Sequence, residues 1–218
     1  MKSPLVSVNV GLPRRIGIDR GETVISGIVK SPVRSLTVRV GTTNIEGDGQ
    51  ADLRAHGGID KAIYAYSRDH WRWWETEHGL SCTAATFGEN LTLSSVNEES
   101  VGIGDQFRWG DVLLEVSQPR GPCYKLAMHT SRKDVPVAMT TSARCGFYLR
   151  VLEEGDAPVA GELVRVRASG EPSVKEAFAA AYHRDISHDR RMRVHDAHGL
   201  AYAWREGIAR RLALSTRE

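Results

Sequence analysis

The chain has 218 residues, of which 41% are hydrophobic and 26% are charged, and its formal net charge is +2. Such a composition is typical of a globular protein with one large domain and does not indicate a nucleic-acid binder. The three cysteines are widely spaced, which argues against a disulfide framework, a C-x-x-C metal knuckle and an iron–sulfur cluster held by cysteines alone. No apolar run approaches the roughly 18 residues of a membrane span. Because the N-terminus also lacks a signal-peptide core, we expect a cytoplasmic protein with free thiols and no contact with membranes.

Strand patterns dominate the chain up to about residue 170. Val6, Val8 and Val10 alternate with polar residues, which is the period of a strand with one buried face. Short strands that are separated by glycine and proline at this spacing predict a barrel or a sandwich. The predicted strands cover 4–10, 23–29, 36–40, 62–66, 106–109, 112–116, 147–152 and 163–166.

Helices are fewer in this first part of the chain. Ser67 is placed to cap a helix over 68–78, which Gly79 would end. A short helix is expected at 126–129. The segment 135–141 is ambiguous, because Pro136 suits only the first turn of a helix.

The last part of the chain has the pattern of three helices. Ser173 and Glu176 form a capping box before an apolar helical face. A second helix is expected within 187–197, and a third carries apolar residues at the spacing of Trp204, Ile208 and Leu212. We therefore predict two units, a strand-rich domain at 1–170 and a three-helix extension at 171–218.

A long polar loop at 41–61 interrupts the strands. It contains the blocks G-D-G-Q-A-D at 47–52 and H-G-G-I-D-K at 56–61. A loop of this length in a compact domain is usually functional or disordered. Gly57 and Gly58 would let backbone N–H groups approach a ligand closely, although a solvated turn would read the same way.

The stretch with the strongest chemical signal is S-Q-P-R-G-P-C-Y-K-L, from Ser117 to Leu126. It places Cys123 beside Pro122, with Arg120 and Lys125 on either side. Nearby positive charge depresses the pKa of a thiol, and a thiolate is both a nucleophile and a metal ligand. The alternative is a buried cysteine that packs as a small hydrophobic residue.

Four blocks in order, G-D-G-Q-A-D, H-G-G-I-D-K-A, F-G-E-N-L at 87–91 and the cysteine stretch, resemble the MOSC family. The MOSC domain is shared with the C-terminal part of molybdenum cofactor sulfurases. The similarity is strongest to the bacterial YiiM type and covers about residues 5–168, with a matching tail from 173. It implies a mainly β fold, a MOSC-type β-barrel with a few short helices, followed by the three-helix appendage.

The resemblance also implies a bound molybdenum cofactor, a pyranopterin (molybdopterin) whose dithiolene holds the metal. Cys123 would be the protein sulfur ligand of the molybdenum, since soft thiolates suit such a metal. Arg120 and Lys61 would pair with the cofactor's phosphate and pterin oxygens, and Gly57 and Gly58 would offer N–H groups to the same anion. Hydrogen bonds to the pterin edge or to the substrate are expected from His56, Asp60, Asn90 and Gln118. Asp48 and Asp52 are expected to orient these loops instead of touching the ligand.

The activity associated with the YiiM type is the reduction of N-hydroxylated compounds, including hydroxylaminopurine-type base analogues, to amines, which is a detoxification. His56 or a water molecule would protonate the departing oxygen. The family is further associated with pyridoxal phosphate binding. Because the chain has no nucleotide-binding glycine fingerprint and no cluster ligands, we expect a separate flavin or iron–sulfur reductase as electron donor.

Other functions remain open from the sequence. The protein could carry the cofactor, or a persulfide on Cys123, to other enzymes without turnover of its own. It could also be an interaction scaffold, although a scaffold does not need a cationic cysteine loop. The helical tail could mediate a homodimer. The expected small-molecule partner is an N-hydroxylated substrate, and no nucleic acid is expected.

Overall fold

The computed structural model describes residues 1–52 and 57–215. Its strands are β1 (Lys2–Val10), β2 (Arg14–Asp19), β3 (Glu22–Ser26), β4 (Ser31–Pro32), β5 (Thr37–Val40), β6 (Ile63–Ser67), β7 (Leu91–Leu93), β8 (Gln106–Trp109), β9 (Val112–Pro119), β10 (Phe147–Glu153), β11 (Gly155–Pro158) and β12 (Glu162–Arg167). Its helices are α1 (Trp71–His78), α2 (Tyr124–Thr130), α3 (Val135–Ser142), α4 (Val174–Tyr182), α5 (His188–His195) and α6 (Tyr202–Ser215), with 3₁₀ turns at Ile59–Lys61 and Arg68–His70.

Seven strands close into a barrel in the order β12-β8-β9-β10-β6-β7-β1, and β1 pairs with β12 to complete the ring. The pairs are antiparallel except for β6 and β7, which run parallel. Closure leaves these strands without a free edge. The short pairs β2–β3 and β5–β11 lie outside the ring, and β4 adds to the far end of β1. This architecture confirms the predicted mainly β fold with a closed barrel.

An aromatic cluster packs α1 against the barrel. Trp74 and Phe87 are fully buried, and Phe87 stacks on Tyr66 with the ring centroids 4.2 Å apart. The indole N–H of Trp74 donates to the Tyr66 hydroxyl at 2.5 Å, so its one polar atom is satisfied inside the core. The helix ends at Gly79 in the left-handed conformation, as predicted.

The ambiguous segment around Pro136 is a helix, α3, and the proline lies in its first turn, where no backbone donor is lost. The preceding helix, α2, begins two residues earlier than predicted. It begins there because Cys123 has an extended backbone (φ −140°) and stands at its N-cap position.

The three C-terminal helices also form as predicted, and the capping box of Ser173 and Glu176 is present at the start of α4. Arg191, which is buried, donates to the backbone carbonyls of Ala180, His183 and Ile186 and so fixes α5 against the end of α4. The buried apolar side chains of these helices continue the hydrophobic core of the barrel. Within the described part of the chain, no helix is long and apolar enough to span a membrane.

Candidate functional site

One cavity brings the cysteine stretch together with residues from five other parts of the chain. It lies between the start of β6 and the turn before it, β10, the segments 26–30, 48–52 and 87–90, and the start of α2. About 590 Å³ of empty space lies within it and is continuous with solvent.

The strand β9 delivers the cysteine to the wall of this cavity. After the strand ends at Pro119, the Arg120 N–H donates to the Gly146 carbonyl at 3.2 Å, which ties the loop to the segment before β10. Cys123 is half-buried, lines the cavity and is a free thiol. The C-terminal extension supports the loop from behind. A Cβ atom on Gly121 would lie 2.7 Å from the Tyr182 hydroxyl, so a side chain there would require the Tyr182 ring of α4 to move.

Arg120 is a buried cation on the same wall. Its side chain is 5% exposed, and its guanidinium lies 5.4 Å from the centre of the Tyr64 ring. It forms no ion pair with any carboxylate of the described residues. Burial opposes the charge of Arg120, but its neighbours Tyr64 and Cys123 outweigh that effect and raise the pKa of the guanidinium, which stays charged. A buried charge without a protein counterion is costly, so this arrangement calls for an anionic ligand in the cavity.

Two lysines add to the positive charge of the wall. Lys61 comes from the 3₁₀ turn at the end of the polar loop 41–61, and Lys125 comes from the first turn of α2. Burial lowers the pKa of Lys61, and the charges of Asp60 and Asp52 partly oppose that lowering. Together with Arg120, these side chains give the cavity the cationic lining that phosphate groups bind.

A third lysine, Lys30, is neutralised within the wall. It forms an ion pair with Asp48, and the two side chains are 7% and 1% exposed. Asp48 also accepts a hydrogen bond from the Gly11 N–H at 2.9 Å. Asp48 therefore joins its loop to the strands, and its carboxylate is paired where it lines the cavity.

The F-G-E-N-L block has a structural role in this wall. The Asn90 amide oxygen accepts from the Tyr64 N–H at 3.0 Å, while its nitrogen donates to the Asn9 carbonyl at 3.2 Å and to Asp48 at 2.9 Å. Glu89, fully buried, accepts three hydrogen bonds from its own turn and the strand that follows. Asn90 thus lines the cavity, but both hydrogens and one lone pair of its amide are already used.

The structure brings four of the predicted site residues to the cavity, namely Lys61, Asn90, Arg120 and Cys123. Asp60 is separated from them, since its carboxylate binds Arg150 at 2.8 Å, outside the cavity lining. The Gln118 side chain is buried away from the lining and donates to the Pro119 carbonyl at 3.3 Å. The direct ligand contacts expected from Asp60 and Gln118 therefore have no geometric support.

The other predicted site residues, His56, Gly57 and Gly58, belong to the polar loop 41–61. Gly58, with φ 96°, stands at the start of the 3₁₀ turn, and neither it nor Gly57 belongs to the described lining of the cavity. His56 lies outside the described residues. Sequence reasoning did not identify Lys30, Tyr64 and Tyr148 as wall residues. Lys30 is an isolated lysine near glycines, and the two tyrosines lie within strands. Neither context forms a sequence motif that indicates a binding or catalytic role.

The donor set of the cavity fits a metal whose other ligands arrive with a cofactor. Among the described residues, no group of three or more histidines, cysteines and acids is placed to hold a metal ion. The cavity offers one accessible thiol and several cations instead. A single protein thiolate combined with an anion-binding wall matches a cofactor that carries its own metal ligands and a phosphate.

The structure is a closed β-barrel that carries a cysteine and buried cations in one cavity. The chain belongs to the MOSC family, because a family model of the MOSC domain matches residues 52–168. It is 41% identical over 175 residues to the uncharacterized protein YflK of Bacillus subtilis, which covers 80% of this chain and 78% of that protein. These matches confirm the predicted family.

A solved structure of a related protein has the same fold as this chain. The crystal structure of YiiM from Geobacillus stearothermophilus superposes with a TM-score of 0.80 at 35% identity, covering 96% of this chain and 99% of that one. A protein of Gibberella moniliformis named Reductase is 38% identical over 121 residues, which are 52% of this chain and 21% of that much longer protein. None of these names mentions molybdenum or pyridoxal phosphate.

Proposed function

We propose that this protein is a molybdenum-cofactor-dependent reductase that converts N-hydroxylated compounds to amines. The observation that carries the proposal is the pairing of an accessible thiol, Cys123, with the buried and unpaired cation Arg120 in one cavity. Membership in the MOSC family and the distant relative named Reductase support a redox role for such a site.

The residues of the cavity divide the task of holding the cofactor. Cys123 would be the protein's sulfur ligand to the metal, and coordination would keep that sulfur deprotonated. Arg120, Lys61 and Lys125 would bind the cofactor's phosphate and pterin oxygens. When bound, the molybdenum supplies the two-electron chemistry, while the protein supplies binding, orientation and electrostatics.

The reaction consumes two electrons and two protons, and it yields an amine and a water molecule. Among the described residues, no group of metal-ligating side chains could hold an iron–sulfur cluster. The sequence also has no nucleotide-binding glycine fingerprint. We therefore propose a separate flavin or iron–sulfur reductase as the electron donor. Oxidation of NADH by the purified, cofactor-loaded protein alone would show that this donor is not needed.

The direct test replaces Cys123 by serine in protein produced with a supply of cofactor. We expect wild type to contain molybdenum and to reduce phenylhydroxylamine to aniline with a chemical reductant, and we expect the C123S variant to lose at least about 100-fold in rate. The matched control is C82S, because Cys82 is half-buried outside the cavity lining and burial raises the pKa of its thiol to about 12. Full activity in C123S would refute the proposal.

The same cofactor-supplied protein preparations distinguish a carrier from a reductase. A carrier would bind the cofactor or a persulfide on Cys123 but would not turn over N-hydroxylated substrate with any reductant. Mass spectrometry of the isolated protein would then find one additional sulfur atom on Cys123 and none on Cys82. A wild-type protein that contains molybdenum but shows no reductase activity would favour this alternative.

A further inference from the structure

Two tyrosines stand side by side on the wall of the cavity. Tyr64 in β6 and Tyr148 in β10 are direct partners across the antiparallel pair, and their ring centroids are 5.3 Å apart. Residues paired in this way project from the same face of a sheet. Both rings line the cavity next to Arg120.

The two hydroxyl groups differ in where their protons go. Tyr64 donates its O–H to the Cys145 carbonyl at 2.8 Å, which uses that proton inside the protein. Tyr66, the next tyrosine of the same strand, donates to the Arg144 carbonyl at 3.3 Å. The Tyr148 oxygen accepts a hydrogen bond from the Arg120 side chain, which can only donate. The described residues provide no acceptor for the O–H of Tyr148 itself, and its side chain is partly open to the cavity. Its proton is therefore available to a ligand.

Burial keeps that proton on Tyr148. Burial raises the pKa of the Tyr148 hydroxyl, and the nearby Arg120 partly opposes this effect. The other charged or titratable groups that face it are Tyr64, Cys123 and Asp48. The hydroxyl is thus a neutral donor at physiological pH, and Arg120 stands ready to stabilise the oxygen after proton loss.

Several other polar groups of the wall are already engaged. The Asn90 amide hydrogens bond the Asn9 carbonyl and Asp48, and Lys30 is paired with Asp48. Lys61 interacts with the charges of Asp60 and Asp52. Among the described residues of the wall, Tyr148 is an uncharged O–H donor next to Arg120 that can serve a substrate.

We propose that Tyr148 is a catalytic residue of this site, which donates its proton to the oxygen of an N–OH group as the N–O bond breaks. In balance, the oxygen keeps the N–O bonding pair, takes the Tyr148 proton and leaves as water, while the nitrogen receives the two electrons that the reductase supplies and one proton from water. Solvent then reprotonates Tyr148. This inference rests on the proposed function.

The test compares Tyr148→Phe with Tyr124→Phe in cofactor-loaded protein. Tyr124 follows Cys123 directly but is 52% exposed and does not line the cavity, so it controls for the loss of a nearby phenol. We expect Y148F to reduce phenylhydroxylamine about 10²- to 10⁴-fold more slowly at saturation, with an unchanged molybdenum content. The solvent deuterium isotope effect on kcat should be present in wild type and Y124F and reduced in Y148F.

A spectroscopic measurement separates this inference from the proposed function. In oxidised, cofactor-loaded protein with ¹³Cζ-labelled tyrosine, which cannot turn over, phenylhydroxylamine should shift one tyrosine resonance that is missing in Y148F. A Y148F variant with wild-type kcat, or a bound substrate that leaves this resonance unmoved, would overturn the role of Tyr148. A wild type that binds molybdenum and shifts the resonance, yet reduces nothing, would refute the reductase function and leave Tyr148 as a ligand contact only.

Discussion

The ion pair of Lys30 and Asp48 provides the sharpest stability test of the cavity wall. Replacing Asp48 by asparagine keeps the size of the side chain and an oxygen that can accept from the Gly11 N–H. The substitution removes the negative charge that Asp48 places beside the Lys30 ammonium. The two side chains are 7% and 1% exposed, so little water reaches the pair to replace the lost carboxylate.

The structure sets the expected magnitude. Breaking a buried ion pair by removing one partner costs about 3 to 5 kcal/mol, because an uncompensated charge is left behind. In a chain of this length each 1 kcal/mol lowers the midpoint of thermal unfolding by about 2 to 4 °C. We therefore expect D48N to unfold about 6 to 20 °C below wild type near neutral pH.

The pH dependence identifies the cause. Burial already lowers the pKa of Lys30 in the folded protein, and Asp48 opposes that lowering. Without Asp48 the folded pKa falls further below that of the unfolded chain. Between those two pKa values the unfolded state binds more protons, so the free energy of unfolding rises with pH. The deficit of D48N should accordingly shrink as the pH rises from about 7 to about 10.

Urea unfolding at several pH values measures both effects. The matched variant is the double substitution K30M/D48N, which removes both charges and should recover the part of the lost free energy that the uncompensated Lys30 charge causes. The hydrogen bond from Asn90 to Asp48 is lost in both variants and accounts for the remainder. A D48N cost below about 1 kcal/mol, the value of an exposed pair, would refute the reasoning. So would a double variant no more stable than D48N.

Two further substitutions test the backbone and the support of the cavity. Gly146→Ala should cost more than about 3 kcal/mol, because φ is +68° and a Cβ atom would lie 2.3 Å from a carbonyl oxygen of β6. Gly161→Ala, with φ +112° and open space, is the control and should cost less in the same urea titration. Arg150→Gln should cost about 1.5 to 3 kcal/mol, because Arg150 holds Asp60 at 2.8 Å and Glu115 at 2.9 Å, and calorimetry that finds no change would contradict this.

The barrel could be predicted from the sequence as a class, but its closure could not. Alternating valines and glycine-separated strands indicate a barrel or a sandwich, and the family resemblance selects the barrel. The ring closes because β1 pairs with both β7 and β12, and it contains a parallel pairing of β6 with β7. Such long-range pairings leave no local sequence signal, because the same alternation serves any neighbour.

The part of the site around Cys123 could be predicted because its residues lie close together in the sequence. Arg120, Cys123 and Lys125 share one stretch, and the structure places all three in the cavity wall. The prediction was less complete for the polar loops. Asp60 and Lys61 are adjacent in sequence, but successive side chains of a 3₁₀ turn point about 120° apart. One of them therefore reaches the cavity while the other meets Arg150 on a different side.

The remaining wall residues come from strands that are far apart in sequence. Tyr148 is placed beside Tyr64 by the register of β10 on β6, and Lys30 is brought in by its pair with Asp48. Neither tyrosine nor lysine in such a context forms a recognisable motif. Their relevance depends on the cavity, which exists only in the closed fold.

X-ray absorption at the molybdenum edge tests the central claim most directly, because it counts the sulfur atoms bound to the metal. Protein produced with cofactor should show one sulfur ligand more in wild type than in C123S, while C82S should match wild type. Equal sulfur counts in wild type and C123S, both with molybdenum bound, would contradict the assignment of Cys123 as the metal ligand of this cavity.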